Sequence, residues 1–362
     1  MKLTDRDMLK RESRPIVVNG VFVGRQGSGL ERFAVETLRA LDEMVTLGHF
    51  RLLVPKRVDI SGLPDFKNIE VVRYGNFKGE LWEQLELARY AHRHGLKVLS
   101  LTNTVPFRHA DYACIHDVFY VTHSRELAKS LKGLLSMWWH RLHYRAIARR
   151  GKIVFTVSKY SARQIADVLG VERTRIVVLG NGWEHMGRIT SDESIFLKFS
   201  ELKRGGYFLS VGNRMPYKNI AWILAMAAVH PESAWVVAGA STRMSSSDDR
   251  RLPNVIFTGR LSDGEMKALM ENCRMLVHPS LDEGFGIPPL EALSVGRPIL
   301  ISRMACLPEI YGDAAYWIEK PTDYNVHLEM GERMEFKQHE ASLVLAANTW
   351  KNVARKLLEA IQ

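Results

Sequence analysis

The stretch His278-Pro-Ser-Leu-Asp-Glu-Gly-Phe-Gly-Ile-Pro-Pro-Leu-Glu-Ala292 decides how this chain is read. The run Arg274-Met-Leu-Val-His278 leads into it and reads as a buried strand. Pro288 and Pro289 then mark the first turn of a helix, where a missing N–H leaves no bond unmade. Gly284 and Gly286 keep side chains away from that helix N-terminus, so its backbone N–H groups are open to an anion such as phosphate. Glu283 and Glu291 flank the turn eight positions apart. Carboxylates are strong acceptors for paired hydroxyls, such as those of a ribose or a sugar. On spacing alone, the same residues also describe a tight strand-to-helix turn with a first-turn Glu that complements the helix dipole.

Outward from this segment, short apolar runs alternate with helical periodicity. Tyr207-Phe-Leu-Ser-Val211, Ala234-Trp-Val-Val-Ala238, Asn254-Val-Ile-Phe257 and Pro298-Ile-Leu-Ile301 read as companion strands, with helices over 265–272 and 289–295. An earlier set starts with Pro15-Ile-Val-Val-Asn19, followed by the glycine-rich turn Gly24-Arg-Gln-Gly-Ser-Gly29 and a helix over 30–44. Arg51-Leu-Leu-Val54, Ile69-Glu-Val-Val72, Lys97-Val-Leu-Ser100 and Tyr112-Ala-Cys-Ile115 continue it. Such alternation predicts parallel βαβ units in two α/β domains. Residues 183–206 carry no strand periodicity and read as the linker, with the boundary near 190. Two open sheets of this kind, facing each other, place a ligand cleft beyond the carboxyl ends of their strands.

Composition narrows the class. The 362 residues exceed one ordinary domain. Hydrophobic residues at 46% and charged residues at 25% fit a folded globular chain. The net charge of +10 is unevenly placed: residues 1–180 hold 30 Lys/Arg and 18 Asp/Glu, a net of +12, and residues 181–362 hold 20 and 22, a net of −2. That asymmetry calls for an anionic partner of the first half: nucleic acid, an acidic membrane or a phosphorylated substrate. No run is long enough to cross a bilayer, and residues 1–14 lack an apolar signal core. Cys114, Cys273 and Cys306 are too scattered for a disulfide framework, which favours a reducing, cytosolic setting. No metal site is expected, and Asp248-Asp249 reads as solvated loop charge.

With these motifs in hand, Glu283-Gly-Phe-Gly-Ile-Pro-Pro-Leu-Glu291 resembles the Glu-x7-Glu motif of the retaining glycosyltransferases of family 4, which have the GT-B fold. Further pieces of the resemblance follow in family order. Val211-Gly-Asn-Arg-Met-Pro-Tyr-Lys-Asn219 is similar to the family's phosphate-binding loop, and Leu307-Pro-Glu-Ile-Tyr-Gly-Asp-Ala314 to the loop after the motif. Residues 254–269 are similar to the strand, Gly and helix before it. Phe155-Thr-Val-Ser-Lys-Tyr-Ser161 and Arg175-Ile-Val-Val-Leu-Gly-Asn-Gly182 match the end of the first domain. The resemblance implies two Rossmann-like domains facing across a cleft. Residues 1–190 form the acceptor side, 191–345 bind the nucleotide sugar, and 346–362 form a C-terminal helix that packs back on the first domain.

The resemblance also implies roles. Glu291 binds the donor ribose, and Glu283 holds hydroxyls of the transferred sugar. The backbone at Gly284, Phe285, Gly286 and Ile287 faces sugar and diphosphate. Lys218, in the loop opened by Gly212, contacts the leaving diphosphate. An Arg that commonly stands five positions before this Lys is replaced by Asn213, with Arg214 beside it. Either Arg214 reaches the phosphates or Lys218 works with other donors. Gly27 and Gly29 belong to a glycine-rich loop near donor phosphates or acceptor. His116 lies beside the donor sugar, and Asp117 orients it or caps the next turn. The activity implied is transfer of a hexose-type sugar from a nucleotide-diphosphate sugar to a saccharide acceptor, lipid-linked, in surface polysaccharide or glycoconjugate synthesis. The donor is a substrate, and neither cofactor nor metal is expected. A sugar-nucleotide epimerase of similar fold is the alternative. A nonenzymatic nucleic-acid binder has no use for Glu283, Glu291 and Lys218, so no nucleic-acid partner is expected.

Residues 125–152 form a basic stretch. Arg125, Lys129, Lys132, Arg141, Arg145, Arg149, Arg150 and Lys152 stand against one acid, Glu126. Leu127, Leu131, Leu134, Trp138 and Leu142 recur at helical spacing, with Trp139 next to Trp138, and Gly133 weakens a single continuous helix. Such a stretch suits an anionic membrane surface. It equally describes a domain helix whose apolar stripe faces the core. The first reading makes the protein cytoplasmic and peripheral on the inner face of the cell membrane.

Overall fold

The computed structural model describes residues 15–25, 29–128, 130–239, 252–324 and 334–361. It divides into two compact units: Met1–Val157, Ser161–Leu179 and Val353–Gln362 in unit 1, and Ser158–Tyr160 with Gly180–Asn352 in unit 2.

Unit 1 holds a seven-stranded sheet in the order β3-β2-β1-β4-β5-β6-β7. The strands are β1 Ile16–Asn19, β2 Phe50–Pro55, β3 Glu70–Tyr74, β4 Val98–Ser100, β5 Tyr112–Cys114, β6 Ile153–Thr156 and β7 Ile176–Val178. Unit 2 holds a six-stranded sheet in the order β10-β9-β8-β11-β12-β13. Its strands are β8 Tyr207–Val211, β9 Ala234–Ala238, β10 Val255–Gly259, β11 Met275–His278, β12 Ile299–Ser302 and β13 Tyr316–Ile318. All pairings in both sheets are parallel. Parallel sheets are covered on both faces, which is why β4, β5 and β11 are buried along their whole length. Strand order reverses between β1 and β4 in unit 1 and between β8 and β11 in unit 2. Those switch points open a crevice at the strands' carboxyl ends. The core of unit 2 packs Phe208, Trp222, Met226, Trp235, Val277 and Leu300.

The boundary differs from the one expected near 190. Unit 2 starts at Gly180 because the presumed linker packs on it. Lys267 Nζ donates to the carbonyls of Met186 and Ile189, both at 2.8 Å, and Asp192 N–H donates to Gly264 O at 3.0 Å. Ser158–Tyr160 joins unit 2 as well: the N–H groups of Lys159 and Tyr160 donate to the Glu309 carboxylate at 2.6 and 3.1 Å. The return to unit 1 falls at Val353, not 346.

Among the helices, α1 spans Gly29–Asp42, α2 Leu131–Arg150, α3 Ile287–Ser294 and α4 Trp350–Ile361. Gly133 does not break α2. It lies in the first turn, where its N–H donates to the Ser130 Oγ cap at 3.0 Å. The inner face of α2 buries Met137, His143, Tyr144 and Ile147. Of the apolar stripe of the sequence, Leu131 (74% exposed), Trp138 (55%) and Leu142 (43%) face solvent instead, joined by Leu135 (63%). Leu134 is half-buried, and Lys129 and the Leu127 side chain lie outside the described residues.

Candidate active site

In unit 2 the polar site grows from the carboxyl ends of β8 and β11. β11 ends at His278, and the chain then turns through Pro279–Gly286 into α3. Gly286 caps α3 with φ +80°, a conformation open to glycine at little cost. A Cβ there would also lie 2.8 Å from Leu307 Cδ2. Its carbonyl accepts a bond from the buried Tyr311 hydroxyl, which fixes the turn. The helix begins at Ile287 with prolines in its first turn, as the sequence implied. N–H groups of a first helical turn have no partner within the helix and carry partial positive charge. Those at Phe285, Gly286 and Ile287 sit at this end.

The turn delivers Glu283 into a buried charge cluster. Its Oε1 accepts from Lys218 Nζ at 2.6 Å and pairs with His278 Nε2 at 2.9 Å. Burial opposes ionisation of Glu283. The Lys218 charge and the His278 bond outweigh it and hold the carboxyl well below the usual range. Burial lowers the His278 pKa against the pull of Glu283, so its imidazole is neutral and Nε2–H donates. Both bonds end on Oε1. An ammonium has three donors, and Glu283 takes one of those on Lys218. Lys218 ends a short turn over Pro216–Lys218 whose next residue, Asn219, has φ +54°. The Asn219 amide locks that turn by donating to Pro279 O at 3.1 Å and Pro321 O at 2.8 Å. At Gly212 an added Cβ would stand 3.4 Å from Lys218 Cδ, so the loop backbone lies along the lysine stem. The Arg214 guanidinium lies over the Phe257 ring, 4.5 Å from its centroid, and Asn213 Oδ1 accepts from Met215 N–H.

Glu291, on α3, is held separately. Its Oε1 lies 2.8 Å from His185 Nε2, and His185 Nδ1 lies 3.2 Å from Trp350 Nε1. An indole N–H only donates, so Nδ1 accepts and the ring proton sits on Nε2, directed at Glu291. Glu184 clamps the backbone N–H of Trp350 at 2.9 and 3.0 Å. Gly182 makes room: a Cβ there would fall 2.3 Å from Trp350 N. His185 and Trp350 carry no signal at the motif itself; the sequence clue is the Gly182 loop, matched above to the end of the first domain, while His185 fell in the stretch read as linker.

In unit 1, His116 follows β5 and is buried. Its backbone N–H donates to Asn103 Oδ1 at 2.9 Å, and its Nε2 lies 3.0 Å from Leu101 O, so Nε2 carries the proton. Burial lowers its pKa to about 4. The ring meets Phe33 of α1 edge-on at 4.5 Å. Asp117 Oδ1 accepts from Phe119 N–H at 3.1 Å and so caps the next turn. Gly29 is the first residue of α1, while Gly27 and Asp248-Asp249 lie outside the described residues. A network absent from the sequence reading lies at the ends of β1 and β4. Glu83 Oε1 accepts from Asn19 Nδ2 at 2.6 Å and Thr104 Oγ1 at 2.8 Å, and Asn19 also reaches Ser100. Burial pushes the Glu83 pKa up to about 7 against these bonds.

The chain as a whole is similar to known proteins. A model of glycosyl transferases group 1 matches residues 192–330, and one of glycosyltransferase family 4 matches residues 27–185. The chain is 26% identical over 330 residues to the O-antigen chain mannosyltransferase RfbU of Salmonella typhimurium, covering 84% of this chain and 86% of that one. It is 28% identical over 193 residues to O-antigen chain mannosyltransferase B of Escherichia coli, with 48% of each chain covered. Among solved structures it superposes on a sucrose-phosphate synthase from Thermosynechococcus elongatus with a TM-score of 0.69 at 16% identity, covering 96% of this chain and 98% of that one. It also superposes on WaaG, a glycosyltransferase involved in lipopolysaccharide biosynthesis, with a TM-score of 0.60 at 16% identity and 95% of each chain covered. With a glycosyltransferase family model on each sheet and the GT-B architecture throughout, the chain is a glycosyltransferase of GT-B type.

Proposed function

We propose that this enzyme transfers a mannosyl residue, with retention at the anomeric carbon, from a nucleotide-diphosphate sugar to a saccharide acceptor during surface polysaccharide synthesis. The observation that carries the reading is the buried Lys218–Glu283–His278 cluster at the start of α3. Rupture of the sugar–diphosphate bond builds negative charge on the departing nucleotide. The two remaining N–H donors of Lys218 and the N–H groups at Phe285, Gly286 and Ile287 neutralise that charge without a metal ion. Glu283 orients sugar hydroxyls through Oε2, since Oε1 is taken by Lys218 and His278. Glu291, steadied by His185, takes the ribose hydroxyls. Arg214 stays on Phe257 and leaves the phosphates to Lys218. His116, neutral and with Nδ1 as acceptor, lies on the acceptor side. Mannose is assigned from the relatives, since both named O-antigen enzymes are mannosyltransferases. A lipid-linked acceptor follows from the excess positive charge of residues 1–180.

The test is a panel of nucleotide sugars incubated with the protein, with and without a mannose-containing acceptor, and read as released nucleotide diphosphate. Acceptor-dependent release from a mannosyl donor, with an α-linked product by NMR, is expected. Acceptor-independent conversion to an epimeric nucleotide sugar would establish the epimerase reading instead.

A further inference from the structure

We infer that the outer side of α2 is a docking surface for an anionic phospholipid bilayer, built as an apolar ridge beside an arginine-lined recess. At about 100° per residue, Leu131, Leu135, Trp138 and Leu142 fall within roughly 60° of one another around the helix. The buried residues Met137, His143, Tyr144 and Ile147 centre about 180° away. The helix is thus apolar on two opposite sides, and one side alone is accounted for by the core of unit 1. An exposed ridge of three leucines and a tryptophan is unfavourable in water, and Trp is well suited to the boundary between headgroups and acyl chains.

Charge identifies the occupant. Arg141, Arg145 and Arg149 follow one another at i, i+4 and i+8 along the flank of the ridge. They line a recess of about 460 Å³ whose other walls include Val121, Tyr144 and Leu169. Arg141 Nε donates to Tyr120 O at 3.0 Å, which fixes one wall. Arg145 and Arg149 are exposed, and among the described residues neither has an acidic partner. Three like charges held together without counter-charge repel one another. A bilayer of anionic lipid relieves that repulsion, with headgroup phosphates at the recess and acyl chains under the ridge. A protein partner of matching shape would need acids set against arginines that stand along one line, and nothing on this face favours that.

This surface rests on the proposed function only for its purpose, delivery of the enzyme to a lipid-linked acceptor. Its test is therefore separable. The full-length protein is co-sedimented with vesicles of phosphatidylcholine alone and of an equal mixture of phosphatidylcholine and phosphatidylglycerol. Wild type should pellet with the mixture, much less with phosphatidylcholine, and be released by high salt. Arg145→Ala/Arg149→Ala should weaken binding by on the order of 25-fold, about fivefold per arginine. Leu135→Ser/Trp138→Ser should weaken it at least comparably. Both double variants should keep wild-type circular dichroism and wild-type transfer to a water-soluble acceptor. Wild type that stays in the supernatant at low salt, or variants that bind like wild type, would overturn the inference. So would a dimer in sedimentation velocity that the Leu135→Ser/Trp138→Ser variant dissolves, because the ridge would then belong to a second copy of the chain.

Discussion

Replacing Lys218 by Met tests the centre of the site, because it removes the charge and keeps most of the stem. Lys218 and Glu283 are 2.6 Å apart, with side chains only 18% and 9% exposed. Breaking a buried pair by deleting one partner costs about 3–5 kcal/mol, since the other charge stays in place without compensation. His278 still bonds to Glu283 in the variant, so the lower end, about 3 kcal/mol, is expected. With a urea slope of roughly 2–3 kcal/mol/M this lowers the unfolding midpoint of unit 2 by about 1–1.5 M. The sign with pH follows from the depressed carboxyl of Glu283. Its contribution is present above the unfolded pKa and is lost as pH falls through the folded one. The wild-type advantage over Lys218→Met is therefore largest near neutrality and shrinks below about pH 4, as the unpaired carboxyl of the variant takes up a proton. Lys218→Met/Glu283→Gln removes the orphan charge and should regain most of the lost stability. Turnover should stay down by on the order of 10²–10³ in both variants, because the cation proposed to face the leaving diphosphate is missing. A single-variant deficit under about 1 kcal/mol would refute the buried pair. A double variant restored in stability and turnover alike would leave Lys218 a structural role alone.

Two further outcomes are expected. His185→Leu should raise the KM for the nucleotide sugar by about tenfold with a smaller change in kcat, because it removes one charge-assisted hydrogen bond that steadies Glu291. Trp350→Phe should act in the same direction but more weakly, and a fall in kcat with KM unmoved would sink this positioning role. In unit 1, the pKa of Glu83 rises from 4.5 to about 7, so the native state holds its proton longer than the unfolded chain. The resulting stability is fully present below 4.5 and is lost as pH rises through about 7, a total of roughly 3 kcal/mol. Urea unfolding at pH 5 and pH 8 should show that decline in wild type and lose it in Glu83→Gln. An equal decline in both proteins would place its source elsewhere.

The parts of the fold carried by strong local patterns were legible in the sequence. β8, β9 and β11 are apolar runs buried on both faces, and α3 announces itself through its prolines. β7 and β13 are three residues each and only partly buried, too short for a periodic signal. Glu283, Glu291 and Lys218 were read correctly as residues of one unit. Their partners were not: His278 was quoted as a strand end without a role, and His185 lay in a stretch taken for linker. His185 acts through a contact 106 positions away, to Glu291, which no local spacing encodes, whereas His278 meets Glu283 only five positions on, through the fold of the turn between them. The direction of the Leu131 stripe was undecidable for another reason. A helix apolar on two opposite sides has no single preferred face, and only packing selects which side is covered.

The division of the chain also constrains when the protein becomes whole. Val353, Ala354 and Leu357 of α4 are buried, and Lys356 Nζ donates to the carbonyl of Leu179, yet these residues belong to unit 1 and are encoded after all of unit 2. A ribosome that has made the whole first sheet has therefore not yet made the piece that closes over it. Unit 2 waits for the same helix, because Trp350 supplies the indole that orients His185. Synthesis thus finishes both units within one short segment, unit 2 once Trp350 is made and unit 1 only with the residues from Val353 onward.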